Sequence, residues 1–217
     1  LPEQATWLQA AVTGFDPENN RLTLDDGRIL GYEALVVAPG IKLDWDRVKG
    51  LGETLGKNGV CSNYSPQTVT YTWECLKNFR GGNAIFTQPP PPLKCAGAPQ
   101  KIAYLTADHL RRQGLRENST LKFYNGGGAL FSVPEFVPPL ERVAHRHGVE
   151  ILLSHDLVEV DGERKVAIFE TKNGEGETTR LEQPFDMLHV TPHQCAPDVI
   201  RESALADSAG WVEVDKA

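Results

Sequence analysis

The sequence predicts an α/β fold: a parallel-sheet domain closed by a β-meander, joined to a smaller, mostly β unit. Three observations predict it. From Asn83 to Ser154, strand-like and helix-like segments alternate, which implies crossover connections and a parallel sheet. Ala34–Ala38 is an unbroken apolar run stopped by Pro39-Gly40, the pattern of a strand buried on both faces. Short strand-like segments separated by turn residues precede that run, and the same order returns after Leu157.

Taken in order, Thr6 to Thr13 reads as a strand, followed by a turn at Asp16-Pro17-Glu18-Asn19-Asn20. Arg21 to Leu24 reads as the next strand, followed by a turn at Asp25-Asp26-Gly27 and a third strand from Leu30. Thr68 to Phe79 has helical spacing, Asn83 to Thr87 is a strand, and Gln100 to Gln113 is a helix ended by Gly114. Leu121 to Tyr124 is a strand, Val133 to His147 a helix closed by Gly148, and Val149 to Ser154 a strand. A second meander follows: Leu157 to Val160, a turn at Asp161-Gly162-Glu163, Lys165 to Thr171, the Gly-rich turn Asn173 to Glu177, and Thr179 to Leu181.

Composition narrows the class. The 217 residues are 40% hydrophobic and 24% charged, within the range of globular proteins. The net charge of −7 offers no general attraction for nucleic acid or anionic lipid. No apolar run reaches the roughly 20 residues of a membrane-spanning helix, and no basic-then-apolar signal segment is present. The first residue is Leu1 rather than Met, which reads as an excised or processed piece. Four cysteines, Cys61, Cys75, Cys95 and Cys195, are too sparse for a disulfide scaffold and form no CxxC pair. His145 and His147 point apart at their helical spacing, so no metal site is expected. The Asn-x-Ser/Thr triplets at Asn63 and Asn118 read as chance without a secretory signal.

The chain also carries an internal repeat. Aligned without gaps, Tyr32-Glu33-Ala34-Leu35-Val36-Val37-Ala38-Pro39 lies over Phe185-Asp186-Met187-Leu188-His189-Val190-Thr191-Pro192. An aromatic residue, an acid, Leu35/Leu188, Val37/Val190 and Pro39/Pro192 fall in register. A meander followed by a buried strand is how the Rossmann-like domains of two-domain flavoprotein reductases close. The second copy has its upstream β-α-β-α-β portion; the first does not, so the glycine turn that would hold a flavin pyrophosphate is expected outside this chain. The expected division is a partial FAD-binding domain over 1–48, a Rossmann-like NAD(P)-binding-type domain over 49–191, and a return segment to the FAD domain over 192–217.

The turn after Asn83–Thr87 should carry a glycine fingerprint if this unit bound NAD(P)H. It reads Gln88-Pro89-Pro90-Pro91-Pro92-Leu93-Lys94-Cys95-Ala96-Gly97-Ala98-Pro99. Four consecutive prolines remove N–H donors, so no nest of amides remains for a pyrophosphate. Asn125-Gly126-Gly127-Gly128 also lacks GxGxxG spacing and reads as a flexible strand-to-helix turn. Cys95 stands just before a helix N-terminus beside Lys94, an environment that favours thiolate. Its Pro, Lys and Gly neighbours argue against an apolar pocket, so it reads as reactive rather than as an inert core cysteine. Cys61, read as lying in a loop before a helix, is a weaker candidate; Cys75 reads as core and Cys195 as incidental.

Lys94-Cys95-Ala96-Gly97-Ala98-Pro99-Gln100-Lys101-Ile102 carries a specific resemblance, together with Ser62-Asn63-Tyr64-Ser65, Gly82–Thr87, Met187–Pro192 and Gly210–Asp215. With these stretches the chain resembles the sulfide:quinone oxidoreductase family, closest to the branch shared by mitochondria and many bacteria. The resemblance implies a peripheral-membrane flavoprotein that oxidises hydrogen sulfide, stores sulfur on a redox cysteine pair and passes electrons through FAD to a quinone. It implies a sulfur acceptor as a further partner and allows a homo-oligomer. Cys95 matches the persulfide-forming cysteine, whose redox partner would lie in a later Gly-Asp-Cys segment beyond this chain. Cys61 matches a position where some members carry a third cysteine. The backbone at Ala11 and Val12 would contact the adenine of FAD, and Ala38, Pro39 and Gly40 would approach its ADP part. The segment from Thr191 and Pro192 to Asp198 would lie close to the flavin. The isolated chain is expected to be inactive and to hold FAD poorly. Two alternatives remain: an NAD(P)H-dependent reductase of the same superfamily, or a docking or scaffold domain with no site of its own.

Overall fold

The computed structural model describes residues 2–172 and 176–215; most of the expected Gly-rich turn, residues 173–175, lies outside the described residues, as do Leu1, Lys216 and Ala217. The chain divides into two compact units, one of residues Leu1–Lys42 and Cys195–Ala217, the other of Leu43–Gln194.

The first unit contains a three-stranded antiparallel meander of β1 (Val12–Asp16), β2 (Arg21–Leu24) and β3 (Ile29–Gly31). Its first turn is built as the sequence suggests: the Asp16 carboxylate accepts the Asn19 N–H and Asn20 takes a left-handed conformation. Two expectations need correction. Residues 6–11 form no strand, because the partner segment Arg21–Leu24 reaches only Val12–Asp16 and the last bond beyond it runs from Asp25 N to the Ala11 carbonyl. Ala34–Ala38, expected as a buried strand, is irregular and largely exposed, with Val36 at 89%. Among the described residues no strand runs beside it, so its backbone has no ladder to join and its side chains no layer to pack under. The repeat is therefore visible in the two meanders but not in the strand that follows the first. β4 (Lys42–Asp44) carries the chain into the second unit.

The second unit is built on a five-stranded parallel sheet of β5 (Val60–Cys61), β6 (Gly82–Gln88), β7 (Ser119–Asn125), β8 (Val149–Leu153) and β12 (Met187–His189), in the order β5-β12-β6-β7-β8. A second meander, β9 (Asp156–Asp161), β10 (Val166–Lys172) and β11 (Thr178–Pro184), precedes β12. Alternate residues of the parallel strands serve two cores. Ala84, Phe86, Leu121, Phe123 and Met187 pack with Leu76, Ala103, Ala107, Leu110 and Ala144 of the helices. Ile85, Tyr124, Leu188 and Val190 pack with Leu157, Val160, Ala167 and Phe169 of the meander, where the Tyr124 and Phe169 rings stack 4.0 Å apart. Burial on both faces is why these strands read as apolar runs rather than as alternating patterns.

The helices are α1 (Leu51–Thr54), α2 (Val69–Asn78), α3 (Gly97–Arg112) and α4 (Val137–His147). The last begins after a short 3-10 turn at Pro134–Phe136 and ends at left-handed Gly148, as its sequence predicts. α3 starts three residues earlier than its pattern suggested. Pro99 therefore falls in the first turn, where its missing N–H costs no intrahelical bond.

The entry of β12 into the sheet depends on Gly82. Asp186 N donates to the Asn83 carbonyl at 2.9 Å, and the Asp186 carboxylate accepts the Asn83 N–H at 2.8 Å. Gly82 has φ 103°, and a Cβ there would run into that carboxylate. A comparable close approach explains Gly126. It is not a flexible turn residue: its N–H donates to the Gln88 carbonyl at 2.8 Å, and a Cβ would strike the ring of Pro90. Gly126→Ala should push the proline run off β7 and lower stability by about 1–3 kcal/mol, read as a fall in urea midpoint. An unchanged midpoint would show that the proline loop moves freely.

Candidate functional site

The carboxyl ends of the parallel strands, where open α/β sheets bind ligands, carry the candidate residues of the second unit. Registers place Cys61, His189 and Phe86 side by side, and Gln88 beside Asn125. Four of the strands then run into loops: 62–65 after β5, 190–192 after β12, the proline loop after β6 and 126–128 after β7.

These loops are tied together by hydrogen bonds. Ser62 Oγ donates to the Val190 carbonyl at 2.7 Å, and Asn63 N donates to His189 Nε2 at 3.1 Å. Thr191 N donates to Thr87 Oγ1 at 3.2 Å, and Lys94 N donates to Gln194 Oε1 at 2.7 Å. Gln88 Nε2 reaches Asn125 Oδ1 at 3.2 Å, and the same oxygen accepts the Gly127 N–H at 2.8 Å. The turn that would cradle a pyrophosphate in a nucleotide-binding sheet is filled by prolines seated on Gly126.

Cys95 is exposed and stands two residues before α3. Its carbonyl accepts the Ala98 N–H at 3.1 Å, opening the helix. Its φ of 67° is in the left-handed region, unusual for a residue with a side chain and held here by the Lys94–Gln194 bond on one side and the helix on the other. Tyr64 is half-buried; burial is the first cause that pushes its phenol up, and a charge on the nearby Cys95 sulfur adds to it, while the Thr191 hydroxyl beside it pulls the other way. The Tyr64 hydroxyl, Thr191 Oγ1 and Gln194 Nε2 are buried atoms without a hydrogen-bond partner among the described residues.

Cys61 has a different setting. It is the second residue of β5 rather than a loop residue, because its backbone pairs with β12, and it is wholly buried. The Cys75 thiol beside it and burial both push its own thiol well up, whereas the Cys61 thiol draws Cys75 down. Cys75 is half-buried against the helix-side core, and Cys195 is part-exposed with Arg201 Nη1 3.9 Å from its sulfur. His189 is also wholly buried, and burial pushes it down to about 4.

Of the residues expected near a flavin, Pro192 is buried in the second unit, next to Thr191. Ala11, Val12, Ala38, Pro39, Gly40 and Asp198 belong to the first unit. There α5 (Asp198–Arg201) packs beside β1, and Lys42, two residues after Gly40, is ion-paired with Asp198, bringing the Ala38–Gly40 turn and Asp198 into one neighbourhood. The Lys42 bond holds the Asp198 carboxyl below its ordinary range. Ala38 and Pro39 are exposed, and Gly40 has φ 82° with open space where a Cβ would project. An exposed turn with a left-handed glycine leaves its backbone open to close approach by a ligand. Among the described residues no group of three or more His, Cys, Asp or Glu could hold a metal ion, and no helix is long and apolar enough to cross a membrane.

Sequence reasoning singled out Cys95 but missed Tyr64 and Gln194 as its neighbours. The Ser62-Asn63-Tyr64-Ser65 motif was a signal for the first; Gln194 lies 100 positions from its partner Lys94 and left none.

A two-sided parallel sheet, helices on one face and a β-meander on the other, with its candidate site at the carboxyl edge, is a Rossmann-like α/β arrangement. Along its whole length the chain is similar to the mitochondrial sulfide:quinone oxidoreductases, as the Lys94–Ile102 motif suggested. It is 45% identical over 218 residues to the Dictyostelium discoideum protein and 41% identical over 216 residues to that of Mus musculus. It covers 100% of its own length in both matches but spans about half the length of these curated relatives, 47% and 48%. No protein-family model matches. Among solved structures, a chain of the Tetrahymena thermophila mitochondrial ATP synthase superposes with a TM-score of 0.74 at 21% identity, over 96% of this chain and 52% of that one. The sulfide:quinone oxidoreductase of Aquifex aeolicus superposes with a TM-score of 0.68 at 16% identity, over 89% of this chain and 44% of that one. At these identities the two structures share the fold with this chain.

Proposed function

We propose that this chain is the central, cysteine-bearing part of a flavin-dependent sulfide:quinone oxidoreductase. The observation that carries the reading is the whole-length similarity to proteins of that name, with Cys95 exposed at the carboxyl edge of the sheet. In this reading the first unit is part of the FAD-binding domain and the second is a Rossmann-like domain whose nucleotide turn is filled by Pro89–Pro92.

The residues take distinct roles. Cys95 forms a sulfur bridge with a second cysteine of the longer protein. Hydrosulfide attacks the Cys95 sulfur; the bridge breaks as a new S–S bond forms, leaving a persulfide on Cys95 and releasing the partner cysteine as a thiolate that carries the electron pair. Cys61, buried and protonated beside Cys75, is a supporting core residue rather than the attacking group. The backbone at Ala11 and Val12 and the Ala38-Pro39-Gly40 turn would hold FAD, with Pro192 and Asp198 at its border. FAD, when bound, supplies the two-electron acceptor between thiolate and quinone. A sulfur acceptor clears Cys95, and quinone is met at a membrane surface.

The test uses the longer protein with a water-soluble quinone. Sulfide should support quinone reduction and NADH should not; reduction by NADH but not by sulfide would establish the nicotinamide-dependent alternative. A polypeptide of these 217 residues alone should neither reduce quinone nor copurify with FAD.

A further inference from the structure

The seam between α3 and α4, on the helical face of the sheet, holds two hollows that follow one another within the second unit. The first has a volume of about 570 Å³, on the scale of small-molecule sites. From α3 it takes residues 97, 100, 101, 104, 105 and 108, one stripe at helical spacing that runs for roughly 16 Å. Phe131, Phe136, Pro139 and Leu140 form the other wall, where the two phenylalanine rings meet edge to face at 6.1 Å. Leu105 and Phe136 are 59% and 55% exposed, so the hollow opens apolar surface to solvent. Its inner polar groups are already occupied. Tyr104 Oη donates to Gln100 Oε1 at 3.2 Å, Gln100 Nε2 donates to the Leu130 carbonyl at 2.8 Å, and Asp108 is ion-paired with Arg111 and Arg112. Exposed Lys101 adds a cation toward the start of α3.

The second hollow, of about 320 Å³, begins where the first ends. His147 lines both, its ring stacked on Tyr104 with centroids 5.7 Å apart. Here the walls are cationic: Arg111, Arg116 and Arg146, with His145 and His147, against the exposed carboxylate of Glu117. Arg116 is fixed by three bonds to carbonyls, from Nε to His147, Nη1 to Ser119 and Nη2 to Gly148. Neither Arg116 nor Arg146 has an ion-pair partner among the described residues. In a chain of net charge −7 this is a local excess of positive charge, placed at one end of an apolar groove.

We propose that the two hollows together bind one long-chain fatty acid, its hydrocarbon chain along Tyr104, Leu105, Phe131, Phe136 and Leu140 and its carboxylate at the cationic end beside Arg146 and His147. The pairing of the two halves selects this ligand. An apolar chain alone gains nothing from the arginines, and a free inorganic anion gains nothing from the apolar hollow. A singly charged headgroup matches what the walls leave over, because Asp108 offsets part of Arg111 and Glu117 faces the same hollow. Arg116 supplies a charge fixed at the end of α4, and exposed Arg146 turns onto the carboxylate from the rim. The proposal does not rest on the role given to Cys95, since none of the groups it uses takes part in the sulfur exchange.

The experiment measures binding of laurate, kept below its micellar concentration, to the longer protein and to the 217-residue chain by titration calorimetry, with dodecanol and inorganic phosphate as the two half-ligands. Laurate should bind both proteins at a single site, dodecanol roughly tenfold more weakly, and phosphate not measurably. Arg146→Glu reverses the charge at the headgroup and should weaken laurate roughly tenfold while leaving dodecanol unchanged. Leu105→Asp sets a charge in the apolar wall and should weaken both by roughly tenfold or more. Both positions are exposed and lie outside the two cores, so the melting temperature should stay at that of the unaltered protein. Dodecanol bound as tightly as laurate, or equal laurate affinities in the unaltered protein and both variants, would overturn the site. Binding to the 217-residue chain that is absent from the longer protein would also overturn it, by showing that further sequence covers the seam. Loss of binding in Lys101→Glu but not in Arg146→Glu would put the carboxylate at the other end and overturn the assignment. Anionic vesicles captured through Leu105 and Arg146 when monomeric laurate is not would make the seam a membrane contact instead.

Discussion

Cys95→Ser in the longer protein should lower sulfide-dependent quinone reduction by at least roughly a thousandfold, because a hydroxyl cannot form or exchange a sulfur bridge. The substitution isolates chemistry from folding. Cys95 is exposed, its hydrogen bond to Ala98 is made by the backbone carbonyl, and serine differs from cysteine by one atom. The left-handed φ of 67° is as costly for serine as for cysteine, so it cancels in the comparison. The measurement is initial rate with saturating sulfide and quinone, alongside a melting curve. Retention of a tenth or more of the rate with an unchanged melting temperature would remove Cys95 from the reaction.

Acidification should weaken the second unit through His189. Its ring is wholly buried, Nε2 accepts the Asn63 N–H at 3.1 Å, and Nδ1 has no partner among the described residues. A second proton would abolish that acceptor and leave a charge without compensation, which is why burial holds the group at about 4 against an ordinary value of 6.5. The unfolded chain therefore binds a proton at a higher pH than the folded one does. The associated stability is complete above pH 6.5 and is lost as pH falls toward 4, by an amount on the order of 3 kcal/mol. Because carboxylates also titrate in that range, the check is a comparison. Urea midpoints from pH 7 to 4.5 should fall more steeply in the unaltered chain than in His189→Gln, which keeps an acceptor for Asn63. Equal slopes would mean that His189 does not carry the effect.

Much of the fold was legible because the parallel strands are buried on both faces and α3 and α4 stop at Gly114 and Gly148. Asn83–Thr87, Leu121–Tyr124 and the α4 stop at Gly148 could be read from neighbouring residues alone. Ala34–Ala38 misled for the same reason that Asn83–Thr87 succeeded: composition reports a wish for burial, and the ladder that would satisfy it is not written in the segment. At the candidate site, Cys95 was visible through its local helix start. The Lys94–Gln194 bond joins residues brought together only by the closing of the sheet, and so does the approach of the Tyr64 phenol to the Thr191 hydroxyl. Neither property has a local signature. Cys61 shows the opposite error, since its place beside a helix in sequence concealed a strand pairing with β12.

The contact of Pro90 with Gly126 has an evolutionary consequence. A loop that merely lacked glycines could regain a phosphate cradle by a few independent changes. Here the two loops interlock, so opening the crevice requires the proline run to be dismantled while its counterpart across the sheet gives up the close fit that excludes any side chain. Each change made first leaves a void or a collision. Such a surface behaves as a ratchet: with the two loops interlocked in this way, any route to an open crevice passes through less stable intermediates, and the closed form is hard to reverse.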